Sequence, residues 1–151
     1  MHRLWALLGI LVLASCKKEE PQDITVAKQK IWESVKKYYQ SSDKCDIDAM
    51  EGLLTADCSL RRTDDIVHGK EKCVEAFKAV VAENKQRKID GKRTTLVGNE
   101  EINVTRDVAI VTLVANANDP TGTLRGLVTL VFRRQDGQWL IAHLHETWEK
   151  K

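Results

Sequence analysis

The sequence FRRQDGQWLIAHLHET (residues 132–147) decides the fold. Two apolar-rich runs flank Asp136-Gly137, and an Asp-Gly pair in that setting is a strong signal for a two-residue hairpin turn. The run before the turn extends back to Leu124, and the run after it extends to Trp148. The stretch therefore predicts two long antiparallel strands at the end of the chain, at 124–134 and 139–148.

Working outward from this hairpin, the pattern changes from strands to helices. Two more strands are predicted upstream, at 94–103 and 107–116, and a turn at 118–122 (Asn-Asp-Pro-Thr-Gly) leads into the hairpin. The first part of the chain instead shows apolar residues at three-to-four spacing. It predicts a helix capped by Asp23 or Thr25 and running to about Gln40, a short helix capped by Asp46, and a helix at 70–84. Residues 58–63 are predicted to form a short strand, and residues 64–69 a turn. Helices followed by an antiparallel meander indicate an α+β fold, with three helices packed on one face of a strongly curved sheet.

Two of the predicted strands are apolar on both faces. Residues 109–115 (AIVTLVA) and 127–132 (LVTLVF) do not alternate as a strand with one wet face should. The helices cover one face, and no predicted element remains to cover the other. A homodimer formed through the sheet face is the simplest solution.

The hairpin resembles the C-terminal hairpin of the nuclear transport factor 2-like superfamily. Its closest parallels are SnoaL-like domains and the association domain of calcium/calmodulin-dependent kinase II, which end in Asp-Gly-x-Trp-x-Ile-x-His-x-His-x-Ser. The matching residues are Asp136, Gly137, Trp139, Ile141, His143 and His145, with Thr147 in place of the serine. Residues 46–50 and 67–71 also resemble the starts of that family's second and third helices. The resemblance covers 23–151 and implies a cone-shaped, cystatin-like roll with a pocket at its open end.

Members of this superfamily include isomerases, dehydratases, cyclases, ligand-binding modules and assembly domains, so the fold alone does not select a function. We expect a domain that binds a small organic ligand, or mediates assembly, without strong catalysis. One alternative is an isomerase, dehydratase or hydrolase that uses His143 or His145 as base, with Tyr39 or Arg61 polarising the substrate. A second alternative is a pure protein-interaction module.

The two hairpin histidines are the leading pocket candidates. His143 and His145 are two residues apart on one strand, so they are expected to share a face with Trp139 and Ile141, on the helix-covered side. Imidazoles there can act as acids, bases or hydrogen-bond donors. His68 is the only other histidine outside the N-terminal segment, and no clustered carboxylates lie beside the pair. We therefore expect neither a metal site nor a cofactor.

Further pocket-lining candidates come from other elements. The resemblance places Tyr38 and Tyr39, on the first helix, near the position of the ketosteroid isomerase tyrosine, although no cavity-facing carboxylate is evident to complete that enzyme's acid–base pair. Glu146 has the opposite parity from the two histidines. Arg61 and Arg125 lie in predicted strands, where they would favour a carboxylate-bearing ligand. His68 precedes the third helix, near the mouth of the cone.

The first sixteen residues have the pattern of a targeting signal. A basic start is followed by the apolar run 4–13, and Leu13-Ala14-Ser15-Cys16 resembles the lipobox of bacterial lipoprotein signal peptides. Residues 1–15 are then the signal peptide, and Cys16, after cleavage and acylation, anchors a tether at 16–22. The expected location is the bacterial envelope facing the periplasm, with the outer membrane slightly favoured by Lys17.

Composition and cysteines narrow the remaining classes. The 151 residues are 42% hydrophobic and 30% charged, with 24 basic and 22 acidic residues giving a formal charge of +2. This balance argues against a nucleic-acid binder. Cys45, Cys58 and Cys73 remain after lipidation. A bridge from Cys58 to either of the other two is conceivable in an oxidising compartment, and small buried thiols in the core are the alternative.

Overall fold

The computed structural model describes residues 23–61, 65–86, 93–119 and 122–151. Within these residues the chain forms helices packed on a single curved sheet, as the sequence predicts. The elements in chain order are α1 (Ile24–Asp43), α2 (Ile47–Glu51), β1 (Leu54–Arg61), β2 (Ile66–His68), α3 (Lys70–Gln86), β3 (Arg93–Leu96), β4 (Glu101–Val104), β5 (Val108–Asp119), β6 (Gly122–Gln135) and β7 (Gln138–Lys150).

The predicted caps start the first two helices. The Asp23 carboxylate accepts a hydrogen bond from the backbone N–H of Thr25 at 2.8 Å, and the Asp46 carboxylate accepts one from Ala49 at 3.0 Å. Each bond satisfies an N–H that has no partner within its helix. The α1 helix extends to Asp43, whose carboxylate accepts from the backbone N–H and the hydroxyl of Thr94, both at 2.7 Å. The end of α1 is thereby tied to β3.

The strands lie in the order β2-β1-β7-β6-β5-β3, and β4 pairs with β5 beyond the end of β3. Neighbouring strands are antiparallel except β1 and β7, which run parallel. The predicted turn at 64–69 contains β2, and the predicted strand at 94–103 is two strands. The break falls at Gly98 and Asn99, which have φ of 85° and 57°. Such left-handed conformations end a strand. Asp136 and Gly137, with φ of 49° and 79°, form the predicted hairpin turn.

The core lies between the helices and the inner face of the sheet. One row of inner side chains runs across five strands, from Leu60 through Leu144, Leu130 and Val111 to Ile102. The first four are buried, and they share one hydrophobic core with a fully buried stripe of α1 residues at three-to-four spacing. Apolar burial of this kind stabilises a fold by about 25 cal/mol per Å². The helix residues in this stripe are Ala27, Ile31 and Val35.

A β-bulge at Ala142 changes which side chains of β7 face the helices. Ile141 pairs with Phe132, but the next pair is His143 with Val131, so Ala142 is an extra residue on β7. An extra residue reverses the alternation of all side chains that follow. The prediction that His143 and His145 lie on the helix-covered face with Trp139 and Ile141 is therefore wrong. Both histidines lie on the opposite face, which we call the outer face.

No helix within the described residues is long and apolar enough to cross a membrane.

Beyond the bulge, Trp148 faces inward and packs on a glycine. Gly126 pairs with Trp148 across β6 and β7, and Ala115 continues the same row on β5. A Cβ at position 126 would lie 2.7 Å from two carbons of the indole ring. The small residues of this row therefore make the space that the indole occupies.

We predict that Gly126→Ala destabilises the domain by about 1–3 kcal/mol, because the added methyl group must displace the Trp148 ring. Urea unfolding, followed by circular dichroism, measures the effect. The matched control is Gly52→Ala, where the added Cβ would meet nothing closer than 3.6 Å. A Gly126→Ala protein as stable as the Gly52→Ala control would show that the indole does not need this space.

Candidate functional site

Two clusters of polar side chains lie on opposite faces of the sheet, and β7 contributes residues to both. On the inner face, Glu146 accepts hydrogen bonds through both carboxylate oxygens. The Tyr39 hydroxyl donates to Oε1 at 2.9 Å, and the Trp148 indole N–H donates to Oε2 at 3.2 Å. We call these three residues the inner carboxylate site. It joins the end of α1 to the end of β7.

Aromatic side chains surround this carboxylate. The rings of Tyr38 and Tyr39 pack edge to face with centroids 5.1 Å apart, and Tyr38 also packs against Phe77 of α3. Burial, reinforced by the negative charge of Glu146, raises the pKa of both tyrosines well above the usual value. Both hydroxyls therefore stay protonated at physiological pH, and Tyr39 remains a hydrogen-bond donor.

On the outer face, basic side chains from three strands lie in two neighbouring rows. Ser59 of β1 pairs with His68 of β2 on one side and with His143 of β7 on the other. In the next row, Arg61 pairs with His145. We call these five residues the histidine cluster. Its best-defined contact joins the Ser59 hydroxyl to Nδ1 of His143 at 2.7 Å, with the donor set by the tautomer of the ring.

The surroundings of His143 disfavour its charged form. Partial burial lowers its pKa, and the neighbouring His145, Arg61 and His68 lower it further. All three neighbours are cationic or become so on protonation. The lowered pKa favours the neutral form of His143, so Arg61 supplies the permanent positive charge of the cluster.

An open pocket of about 350 Å³ adjoins the cluster on the outer face. His145 belongs to both the pocket and the cluster. The other polar lining residues are threonines of β5, β6 and β7 and one asparagine, and an apolar wall comes from Leu127 and Val114. The polar set is Thr112, Thr129, Thr147 and Asn99.

The sequence-predicted residues thus divide between two faces. Tyr38 and Tyr39 lie on the inner face. The residues on the outer face are Arg61, His68, His143 and His145. Of these six residues, His145 lines the pocket. Arg125 is exposed on the outer face, where it pairs with Glu149 of β7 rather than with the cluster.

Sequence reasoning missed Glu146, Trp148 and Ser59. A signal for the first two is present. After Ile141, which is at an odd-numbered position, the apolar residues Leu144 and Trp148 are at even-numbered positions, as Glu146 is.

The described histidines, cysteines and carboxylates include no group of three that could hold a metal ion. The three cysteines among the described residues are free thiols. Cys45 is exposed, whereas Cys58 and Cys73 are buried together, with Sγ of Cys73 3.8 Å from the carbonyl oxygen of Cys58. Burial raises the pKa of the Cys58 thiol to about 12, which makes it a poor nucleophile.

We predict that the domain loses stability as the pH falls below about 6.5, in part through His143. Its pKa is lowered in the folded state, so between the folded and unfolded pKa values the unfolded chain binds more protons, and stability rises with pH. Replacing His143 by Gln should flatten the dependence between pH 7.5 and 5.5. Denaturant unfolding at a series of pH values measures it. Ser59→Ala keeps the imidazole and should keep the slope. Equal slopes in wild type and His143→Gln would contradict the prediction.

Comparison with known proteins assigns this architecture to a family. The sequence matches the SnoaL-like domain family over residues 31–147, while no curated protein matches at a significant level. Similar solved structures include a nuclear transport factor 2-like superfamily protein from Salmonella enterica, with a TM-score of 0.71 and 19% identity over 85% of this chain and 95% of that one. A proposed dehydratase of the same superfamily from Streptomyces avermitilis has a TM-score of 0.70 and 16% identity over 81% and 95%. A proposed ketosteroid isomerase from Shewanella frigidimarina has a TM-score of 0.62 and 21% identity over 76% and 92%. The chain therefore belongs to the SnoaL-like domain family, with the nuclear transport factor 2-like fold.

Proposed function

We propose that this chain is a lipid-anchored envelope protein whose SnoaL-like domain binds a small organic ligand without strong catalysis. The observation that carries the ligand proposal is the inner carboxylate site, where Glu146 is held between Tyr39 and Trp148 on the helix-covered face. A carboxylate removed from water is costly unless it is hydrogen-bonded. Two fixed donors hold it in a defined orientation, as a recognition group requires.

The chemistry of the site selects the class of ligand. Each carboxylate oxygen has one protein donor and retains capacity to accept another hydrogen bond. A ligand amine or hydroxyl would supply that donor. The half-buried Trp148 ring offers apolar surface for a ring or short chain beside the carboxylate, whereas Tyr38 and Tyr39 are buried. We therefore expect a small amine or alcohol with an apolar body.

The positions of the candidate catalytic residues favour ligand binding over catalysis. His143 and His145 lie on the outer face, and Tyr39 lies on the inner face, so the sheet separates them. The pairing of either histidine with Tyr39 on one substrate is therefore impossible. Arg61 and His145 do share the outer face, so the enzyme alternative is restricted to a histidine base acting with Arg61.

The membrane anchor rests on the sequence of residues 1–22, which lie outside the described residues. The lipobox-like Leu13-Ala14-Ser15-Cys16 supports acylation of Cys16, and several acyl chains on one residue give lasting attachment. Together with the tether at 16–22, this supports a domain at 23–151 that faces the periplasm.

We also propose a homodimer through the outer face of β5 and β6. Val108, Ile110 and Leu127 lie there with exposed fractions of 40%, 45% and 61%, and Val114 and Val131 fill positions between them. Exposed apolar side chains grouped in this way are typical of an interface. A second copy, which presents the same patch by two-fold symmetry, would cover it.

For the ligand site, we predict that Glu146→Gln abolishes binding of small amines and alcohols. Thermal unfolding is measured with a panel of such compounds, because a ligand selective for the native state raises stability, by about 2.7 kcal/mol at a hundredfold excess over Kd. At least one compound should raise the melting temperature of the wild type and not of Glu146→Gln. Glu149→Gln, on the same strand but exposed, is the matched control. No stabilising compound, or equal loss in the control, would refute the proposal.

For the dimer, we predict that Ile110→Asp yields a folded monomer, because a carboxylate buried without a partner is strongly unfavourable. Sedimentation equilibrium of detergent-purified protein gives the mass, and circular dichroism confirms the fold. Val26→Asp introduces the same charge at an equally exposed valine on α1, away from the sheet, and should remain dimeric. A monomeric wild type would exclude this interface.

A further inference from the structure

Two buried thiols lie close together where α3 packs on β1. Cys58 of β1 and Cys73 of α3 are each 1% exposed, and the Cys73 thiol donates to the carbonyl oxygen of Cys58 at 3.8 Å. The same oxygen accepts a hydrogen bond from the N–H of Gly69 at 2.8 Å, and the Gly69 carbonyl accepts one from the N–H of Cys73 at 3.1 Å. These bonds fix the backbone on both sides of the contact. We call Cys58 and Cys73 the buried thiol pair.

This arrangement favours one of the two cysteine pairings that the sequence leaves open. A disulfide bond joins residues whose Cα atoms are about 4.4–6.8 Å apart. A thiol that reaches the carbonyl oxygen of the other cysteine holds the two backbones near that separation, and the Cys73 thiol is also close enough to raise the pKa of the Cys58 thiol. Cys45 is exposed between α1 and α2 and is not part of this contact. The geometry therefore favours Cys73 over Cys45 as the partner of Cys58.

The buried thiol pair lies behind the inner carboxylate site. Phe77, one helical turn after Cys73, packs against Tyr38 with ring centroids 6.2 Å apart. Cys73 is itself near enough to Tyr38 to contribute to the raised pKa of that tyrosine. Tyr38 in turn packs against Tyr39, which donates to Glu146. A bond that fixes the start of α3 would therefore restrain the helix face that supports both tyrosines.

We propose that Cys58 and Cys73 form a disulfide bond when the chain meets an oxidant that itself carries a disulfide, and that this bond fixes α3 against β1 behind the inner carboxylate site. One thiolate attacks the oxidant to form a mixed disulfide, and the second thiolate displaces the oxidant and closes the Sγ–Sγ bond. The two thiols lose two protons and two electrons, and the oxidant is reduced to two thiols.

Burial determines when this bond forms. Both thiols are covered in the folded domain, and the high pKa of Cys58 makes its thiolate scarce there. The reaction therefore takes place while the chain folds, before the core closes over the pair. Its occurrence in the cell rests on the proposed periplasmic location, because disulfides persist in oxidising compartments. Its formation in the purified protein does not depend on that location.

The test refolds the detergent-purified full chain from urea, either with a mixture of oxidised and reduced glutathione or with reductant alone. Free thiols are then blocked with iodoacetamide under denaturing conditions, and the digested peptides are identified by mass spectrometry. Oxidative refolding should give one pair of peptides joined through Cys58 and Cys73, with Cys45 outside the bridge. Because the bond closes a loop over a sequence separation of 15 residues, it constrains the unfolded chain. The oxidised form should therefore melt at least about 5 °C above the reduced form.

Matched variants separate this bond from general thiol oxidation. Cys45→Ser should keep both the joined peptides and the rise in melting temperature. Cys73→Ala, which leaves a small apolar side chain in the core, should lose both, and the reduced wild type is the reference without a substitution. Amide hydrogen exchange in α3 of the wild type should slow at least tenfold on oxidation. A bridge to Cys45, alkylated Cys58 and Cys73 after oxidative refolding, an oxidised form no more stable than the reduced one, or unchanged exchange in α3 would overturn the proposal.

The state of the pair in cells is measured separately, by alkylating the thiols of intact cells before the protein is purified. A bridge between Cys58 and Cys73 in this sample would support both the bond and the periplasmic location. A reduced pair in cells, together with a bridge in the refolded protein, would refute the location and still support the bond.

Discussion

One extra residue in β7, Ala142, determines which polar side chains lie on each face of the sheet. Before Ala142, the strand places Trp139 and Ile141 against the helices, and after it the strand places Leu144, Glu146 and Trp148 there. Without the bulge, the same register would direct Leu144 to solvent and His143 into a row of buried apolar side chains. The burial of Leu144 opposite Leu130 therefore fixes the bulge, since the alternative exposes a leucine and desolvates an imidazole.

The inner carboxylate site follows directly from this reversal. Glu146 enters a partly buried region where desolvation disfavours a free carboxylate, and Tyr39 and Trp148 supply the donors that offset this cost. Trp148 can reach Glu146 because Gly126 leaves room for the indole. The glycine, the tryptophan and the carboxylate thus form a single unit in which each position constrains the next.

The sequence was sufficient for those features that depend on local chemistry. The Asp136-Gly137 turn, the caps at Asp23 and Asp46 and the α+β class follow from turn conformations, orphan N–H groups and hydrophobic period. The faces of His143 and His145 were not obtained in this way, because no glycine or proline marks the bulge and its trace in the sequence is only the change of apolar parity from Ile141 to Leu144. Gly98-Asn99 did carry such a signal for the break between β3 and β4. The parallel pairing of β1 with β7 is likewise a tertiary property.

The position of β7 also argues for two independent sites rather than one coupled site. The strand lies between β1 and β6 and is hydrogen-bonded on both sides, so its backbone is fixed. His145 and Glu146 are consecutive, yet their side chains point to opposite faces and share no partner. Groups without shared partners usually contribute additively once they are more than about 7–10 Å apart. Occupation of one face can therefore influence the other only by moving a central strand, which the paired ladders on either side oppose.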